Sequence, residues 1–186
     1  CGWIVPGDKT TLRIGIASAK KTRRLLERYV DSLKRRGLKI KRVLQRTGGL
    51  IPKYDGSQRL QKNNTYLIGD AASIIKDATG GGIMMGLRSA RILVDAIENG
   101  HDYSRRLKKI LSYDLRLSRI IRNTLDNMSY DEKDRLIRIF SDKDIKSIMT
   151  GSGDMDEPRR FVWKLIAKRP GLVWLSRRAL IKNWHR

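Results

Sequence analysis

The sequence predicts an α+β protein, and three observations carry that prediction. Alternating apolar residues at the start of the chain read as antiparallel strands. A short apolar run that ends in a carboxylate and leads to a triple glycine, residues 65–83, reads as a strand feeding a helix. From Asp102 onward the apolar spacing is helical.

Taken in order, residues 1–6 and 10–16 predict two strands joined by the turn Gly7-Asp8-Lys9. Leu12, Ile14 and Ile16 alternate with Arg13 and Gly15, which puts one strand face against a core. Residues 21–36 predict an amphipathic helix with Leu25, Leu26, Tyr29, Val30 and Leu33 on one face and Gly37 as its stop. The run 38–44, LKIKRVL, partly alternates and predicts a further strand. Gly48-Gly49-Leu50-Ile51-Pro52 predicts a turn leading to an apolar contact, and Asp55-Gly56-Ser57 a loop. Tyr66-Leu67-Ile68 predicts a buried strand, and a helix opens after Thr79-Gly80-Gly81-Gly82. That helix has the apolar stripe Ile83, Leu87, Ala90, Leu93, Val94, Ile97.

Leu107, Ile110, Leu111, Leu115, Leu117, Ile120 and Ile121 fit one long helix, with shorter ones over 131–140 and 142–149. Gly151-Ser152-Gly153-Asp154 reads as a linker. Pro158, after Asp156 and Glu157, suits the first turn of a last helix that Pro170-Gly171 breaks. No internal repeat or low-complexity tract occurs.

The 186 residues are enough for one domain with a real core. The chain starts with Cys1 and inside a predicted strand, so it is expected to be a piece of a longer protein or one half of a split one. Its formal net charge of +22 favours anionic partners: nucleic acid, anionic lipid or phosphorylated substrates. One cysteine excludes an internal disulfide and fits a reducing, cytoplasmic compartment. No apolar run approaches the roughly 20 residues of a membrane span. Residues 20–46 carry twelve Lys or Arg against Glu27 and Asp31. Residues 158–186 carry nine and no acid, together with Trp163, Trp174 and Trp184. Apolar, Trp and basic residues together compose a helix that lies in a membrane interface. The plainer alternative is a solvated basic face whose Trp rings pack on the protein. The absence of zinc-ligand spacing and of an aromatic RNA-binding signature argues against nucleic acid.

The chemistry concentrates in residues 65–83. Asp70 sits at the tip of a predicted strand among small residues and can accept hydrogen bonds from hydroxyls. The glycines let backbone N–H groups approach a ligand, and a helix N-terminus favours negative charge there. Asp70 as an ordinary N-cap, with the glycines as a tight strand–helix turn, is the alternative. His101 and His185 stand in unpatterned settings. No metal-ligand cluster and no Ser-His-Asp arrangement is present, so no metal and no catalytic acid or base is assigned.

Gly69-Asp70-Ala71-Ala72 followed by Thr79-Gly80-Gly81-Gly82-Ile83 resembles the second flavin-binding segment of the geranylgeranyl reductase family, FAD-dependent enzymes related to aromatic hydroxylases. The start of the chain, with Trp3 and Pro6, is similar to a degraded form of that family's substrate-cavity strand. Cys1 and Val5 depart from the family's aromatic residues there, and the spacing between Pro6 and Gly7 is one residue short. Gly48-Gly49-Leu50-Ile51-Pro52 looks like its glycine-glycine-x-isoleucine-proline turn. The family's N-terminal GxGxxG, which grips the FAD diphosphate, does not occur in the sequence.

The resemblance implies the C-terminal half of such a reductase. Residues 1–52 would be part of an antiparallel substrate-binding domain. Residues 53–100 would be the second FAD-binding segment of a glutathione-reductase-like fold, and 101–186 a basic helical region. It implies FAD as cofactor, with Asp70 accepting from the ribityl chain. Backbone N–H groups near Gly81, Gly82 and Ile83 would meet the pyrimidine end of the ring. Trp3 and Pro6 would line an apolar cavity for a prenyl chain. The implied partners are a prenylated lipid substrate, the missing FAD-binding half, an electron donor and an anionic membrane surface. The implied reaction is reduction at CH–CH groups. The rivals are another flavin oxidoreductase or monooxygenase of the same fold, and a non-enzymatic basic module that binds nucleic acid or lipid.

Overall fold

The computed structural model describes residues 1–8, 10–154 and 156–173, which fall into two units that meet between Gly49 and Leu50. Trp174, Trp184 and His185, with the rest of the tail from residue 174, lie outside the described residues.

In the first unit, β1 (Gly2–Pro6) pairs antiparallel with β2 (Leu12–Ile16), with Gly2 opposite Ile16 and Pro6 opposite Leu12. The Asp8 carboxylate organises the turn. It accepts from the N–H groups of Thr10 and Thr11 at 2.7 Å each and from the Thr10 hydroxyl at 3.0 Å. These bonds, that from the Thr10 N–H foremost, hold its carboxyl below the usual range. Helix α1 (Thr22–Arg35) follows. Leu38 N–H donates to Leu33 O at 3.1 Å and Gly37 N–H to Lys34 O at 2.9 Å, a paired closure that satisfies the last carbonyls. The predicted face is the right one: Leu33 is buried, and Leu25, Leu26, Tyr29 and Val30 are half-buried.

Residues 38–44 do not form the predicted strand, and residues 38–55 carry no regular element. Alternation supplies a pleat, but a strand also needs a neighbour for its N–H and C=O groups. Among the described residues the hairpin is a two-stranded sheet with no third member. Val43 and Leu44 therefore stay exposed beside Lys39, Lys41 and Arg42.

The second unit is mainly helical. A small hairpin of β3 (Gln61–Lys62) and β4 (Thr65–Tyr66) precedes a single 3-10 turn, Gly69–Ala72. The predicted strand over Tyr66-Leu67-Ile68 thus keeps only its first residue in a ladder. Helices α2 (Ile83–Glu98) and α3 (Tyr103–Asn127) then pack together. Their shared core contains Met85, Ile92, Ala96, Tyr103, Leu107, Leu111 and Leu115, with Tyr54, Leu60, Ala72 and Ile74 from the preceding loops. Tyr103 donates to Leu67 O at 2.8 Å and meets the Tyr66 ring edge-on, 6.0 Å between centroids. Among the described residues three shorter helices follow: α4 (Tyr130–Ser141), α5 (Lys143–Ser152) and α6 (Arg159–Lys168). Ser129 and Glu132 close a reciprocal capping box on α4. A second core of Ile145, Phe161 and Leu165 joins α5 to α6. The predicted linker is shorter than expected, because Gly151 and Ser152 complete the last turn of α5. Among the described residues no helix is long and apolar enough to cross a membrane.

Helix α2 keeps only part of its predicted stripe inside: Leu93 is half-buried against the core and Ala90 is half-buried, while the other four residues face outward. Its buried residues are Met85, Ser89, Ile92 and Ala96. Ile83, Leu87, Val94 and Ile97 are exposed, at 83%, 62%, 53% and 60%. The helix is apolar on two opposite faces, and the less greasy face takes the core. Small residues there let the chain approach closely: the Gly69 and Gly86 backbones nearly touch, and Ser89 bridges them.

Candidate functional site

Three local features bring the carboxylate of the 3-10 turn to the glycine-rich start of α2. Gly69 has a φ of +55, and a Cβ there would lie 3.3 Å from the Gly86 Cα, so only glycine fits without strain. Its N–H donates to the Ser89 hydroxyl at 3.0 Å, and that hydroxyl donates to Gly86 O at 2.8 Å. This buried relay locks the 3-10 turn onto the second turn of α2. As a result the exposed Asp70 carboxylate stands directly over Gly82, where any Cβ would collide with it. Sequence positions twelve apart are thereby in contact. No side chain caps α2 at its first turn. The N–H groups there keep the electropositive character of a free helix start.

The spacer between the two motifs is pinned from several directions. Ile74 and Ile75 are buried. Asp77 accepts from Tyr54 N–H at 2.8 Å, and Ala78 N–H donates to the Ser118 hydroxyl of α3 at 3.1 Å. Lys76 and Gly81 form a one-residue bridge, Lys76 N–H to Gly81 O at 3.2 Å, while Gly81 N–H is taken by the Thr79 hydroxyl at 3.2 Å. The Lys76 ammonium donates to Asp156, just before α6, and is only 13% exposed. Arg88 of α2 reaches the same segment, to Asp156 O at 3.3 Å and to the Glu157 carboxylate at 3.7 Å.

Together these residues enclose an open cleft of about 550 Å³, lined by Asp70, Lys76, the glycines 80–82, Met84 and Asp156. Chemically it offers a carboxylate for hydroxyl donors, an uncapped helix start for an electron-rich group, and an ammonium–carboxylate pair at one wall. A cleft of similar size, about 560 Å³, lies where Gly151–Asp154 faces Arg160 and Lys164. It has no carboxylate seated over a glycine at a helix start as Asp70 is over Gly82, so the cleft at α2 is the better site.

Of the residues predicted from sequence, Asp70, Gly81, Gly82 and Ile83 lie together around this cleft. Trp3 and Pro6 belong to the other unit. Trp3 is 44% exposed and its indole covers the paired Gly15, while Pro6 stands opposite Leu12. Leu50 is 99% exposed, so the turn before Pro52 buries nothing through it. Ile51 alone touches the glycine loop, its Cδ1 being 3.8 Å from a Cβ position on Gly80. Lys76, Ser89 and Asp156 were not legible as site residues. A single Lys in the spacer, a Ser on an apolar helix and an acid ahead of Pro158 are their only traces.

The family described as lycopene cyclase protein matches residues 15–162 of this chain. Among curated relatives, an uncharacterized protein of Methanocaldococcus jannaschii is 26% identical over 164 residues, covering 83% of this chain and 42% of that protein. Digeranylgeranylglycerophospholipid reductase 2 of Methanothermobacter thermautotrophicus is 27% identical over 160 residues, covering 78% and 41%. The digeranylgeranylglycerophospholipid reductase of M. jannaschii is 27% identical over 186 residues, covering 92% and 45%. The chain thus spans less than half the length of the curated relatives it matches. No solved structure matches it.

Proposed function

The chain belongs to the lycopene cyclase protein family, and on that footing we propose that it is the C-terminal half of an FAD-dependent geranylgeranyl reductase. The substrate would be a prenylated membrane-lipid precursor of the digeranylgeranylglycerol phospholipid type, the class that its reductase relatives are named for. The observation that carries this reading is the Asp70 carboxylate over Gly82 at an uncapped helix start.

The residues fit one end of a flavin. Asp70 accepts from ribityl hydroxyls, and the free N–H groups around Gly82 and Ile83 meet the electron-rich pyrimidine edge. A helix start there stabilises negative charge on a reduced ring. When bound, the flavin supplies the hydride chemistry, and the chain's own groups bind, orient and keep water out. Trp3 and Pro6 give an apolar wall for a prenyl chain. On α6, Trp163 is exposed beside Arg159, Arg160 and Lys164, a surface suited to anionic lipid headgroups. The diphosphate grip would come from a companion GxGxxG half. The outward apolar face of α2 supports that partner, because four large side chains there need a cover. An electron donor completes the cycle.

Co-expression of this chain with a GxGxxG half tests the proposal. The expected product is a yellow protein with stoichiometric FAD that adds a pair of hydrogens per prenyl double bond. Asp70→Ala in that protein should weaken FAD binding ten- to a hundredfold, about 1.5–3 kcal/mol for a bond to a charged group. A colourless complex whose spectrum ignores added FAD overturns the reading.

A further inference from the structure

A carboxylate from the C-terminal helical region stands in the wall of the cleft at α2, although that region shares no cofactor motif with the first hundred residues. Asp156 lies between α5 and α6 and accepts from the Lys76 ammonium across 80 positions of sequence. Both line the same cleft as Asp70 and the glycine cradle. The pair is mostly screened from water, with side chains 13% and 26% exposed. Two charges so placed act on anything in the cleft far more strongly than surface charges do. While paired they nearly cancel. With the pair intact the Asp70 charge remains; without Asp156 the Lys76 charge offsets it, and without Lys76 the cleft carries two negative charges.

We infer that the Lys76–Asp156 pair sets the electrical potential of the cleft, and so the redox balance of a flavin seated there. Lys76 favours the anionic reduced ring, and Asp156 opposes it. Both are positioning residues, and neither donates or accepts a proton in the reaction. The inference rests on the flavin reading above.

The lever is specific because a second ion pair anchors the same segment without lining the cleft. Arg88 holds Glu157 and the Asp156 carbonyl from α2. Loosening the segment and changing the charge in the cleft are therefore separable. Glu157→Gln weakens the anchor and leaves the charge in the cleft alone. Asp156→Asn removes a negative charge from it, and Lys76→Met removes the positive one.

The experiment uses the completed two-half protein loaded with FAD and titrates flavin reduction against a reference dye. Asp156→Asn should shift the ratio of reduced to oxidised flavin about tenfold toward reduced at a fixed poise, roughly 30 mV for a two-electron couple. Lys76→Met should shift it about as far the other way. Lys76→Arg, Glu157→Gln and the double variant Lys76→Met with Asp156→Asn should stay within about twofold of the parent. The double variant removes both members of the pair and leaves the net charge of the cleft as in the parent, so it tests the idea even where a single variant folds poorly. Shifts of the same sign in both single variants, shifts below twofold, or a Glu157→Gln shift equal to that of Asp156→Asn overturn the inference and leave the flavin reading standing. Failure of the parent protein to take up FAD overturns both.

Discussion

The hairpin–helix unit of residues 1–49 and the region around α2 and α3 handle apolar side chains in opposite ways. In the first, Leu33 is the one buried apolar side chain among the described residues, while Trp3, Ile4, Val5 and Leu12 lie open on the strands. In the second, Met85, Tyr103, Leu107, Leu111 and Leu115 sit at 2% exposure or less around the glycine loop. The difference teaches where the geometry of the site comes from. The residues that line the cleft belong to the second unit and are held there by Ser89, Ser118 and Asp156.

The sharpest way to break that contrast is truncation on each side of it. Leu111→Ala should destabilise the chain by about 2–5 kcal/mol, since it empties a fully buried site in the core of the second unit. Val5→Ala should change stability by no more than about 0.5 kcal/mol. Urea unfolding followed by helical circular dichroism measures both, and equal costs would erase the distinction.

A smaller effect separates the units by pH. Burial pushes the Tyr103 phenol up to about 12, against 10.0 for a free tyrosine. The folded state holds the neutral form, so this stabilisation is complete below pH 10 and is lost as pH rises through about 12. Its full size is roughly 2–3 kcal/mol at 1.36 kcal/mol per unit. Thermal unfolding from pH 8 to 12 should show a steep alkaline fall that Tyr103→Phe flattens. A fall unchanged in that variant would place the titrating group elsewhere.

The smallest expected effect sits at the junction of the two motifs. Gly69→Ala should cost about 1–2 kcal/mol, from left-handed backbone and from the Gly86 contact. Hydrogen exchange at the Gly69 amide would rise with it, as the bond to Ser89 loosens. Unchanged protection would mean that the relay does not set the position of Asp70.

Much of this was legible in the sequence where the signal is local. Gly37 marks the end of α1, the spacing from Leu107 to Leu115 gives α3, and the Gly69-Asp70 and Gly80–Gly82 clusters fall into one cleft. What escaped depends on partners distant in sequence. The run 38–44 alternates like a strand but finds no ladder. Helix α2 has two apolar faces, and its richer one, Ile83, Leu87, Val94 and Ile97, points outward. Periodicity shows that a stripe exists, while close approach at Gly69, Gly86 and Ser89 decides which side is packed. The Lys76–Asp156 pair bridges 80 positions and has no sequence signature at all.

The outward face of α2 also bears on how copies of this chain behave in solution. Four large apolar side chains along one helix are adhesive toward their like, and +22 formal charges on each copy hold those surfaces apart. Salt shortens that repulsion to about 8 Å at physiological strength. That exposed face is therefore expected to make ionic strength the switch between dispersed chains and clumped ones.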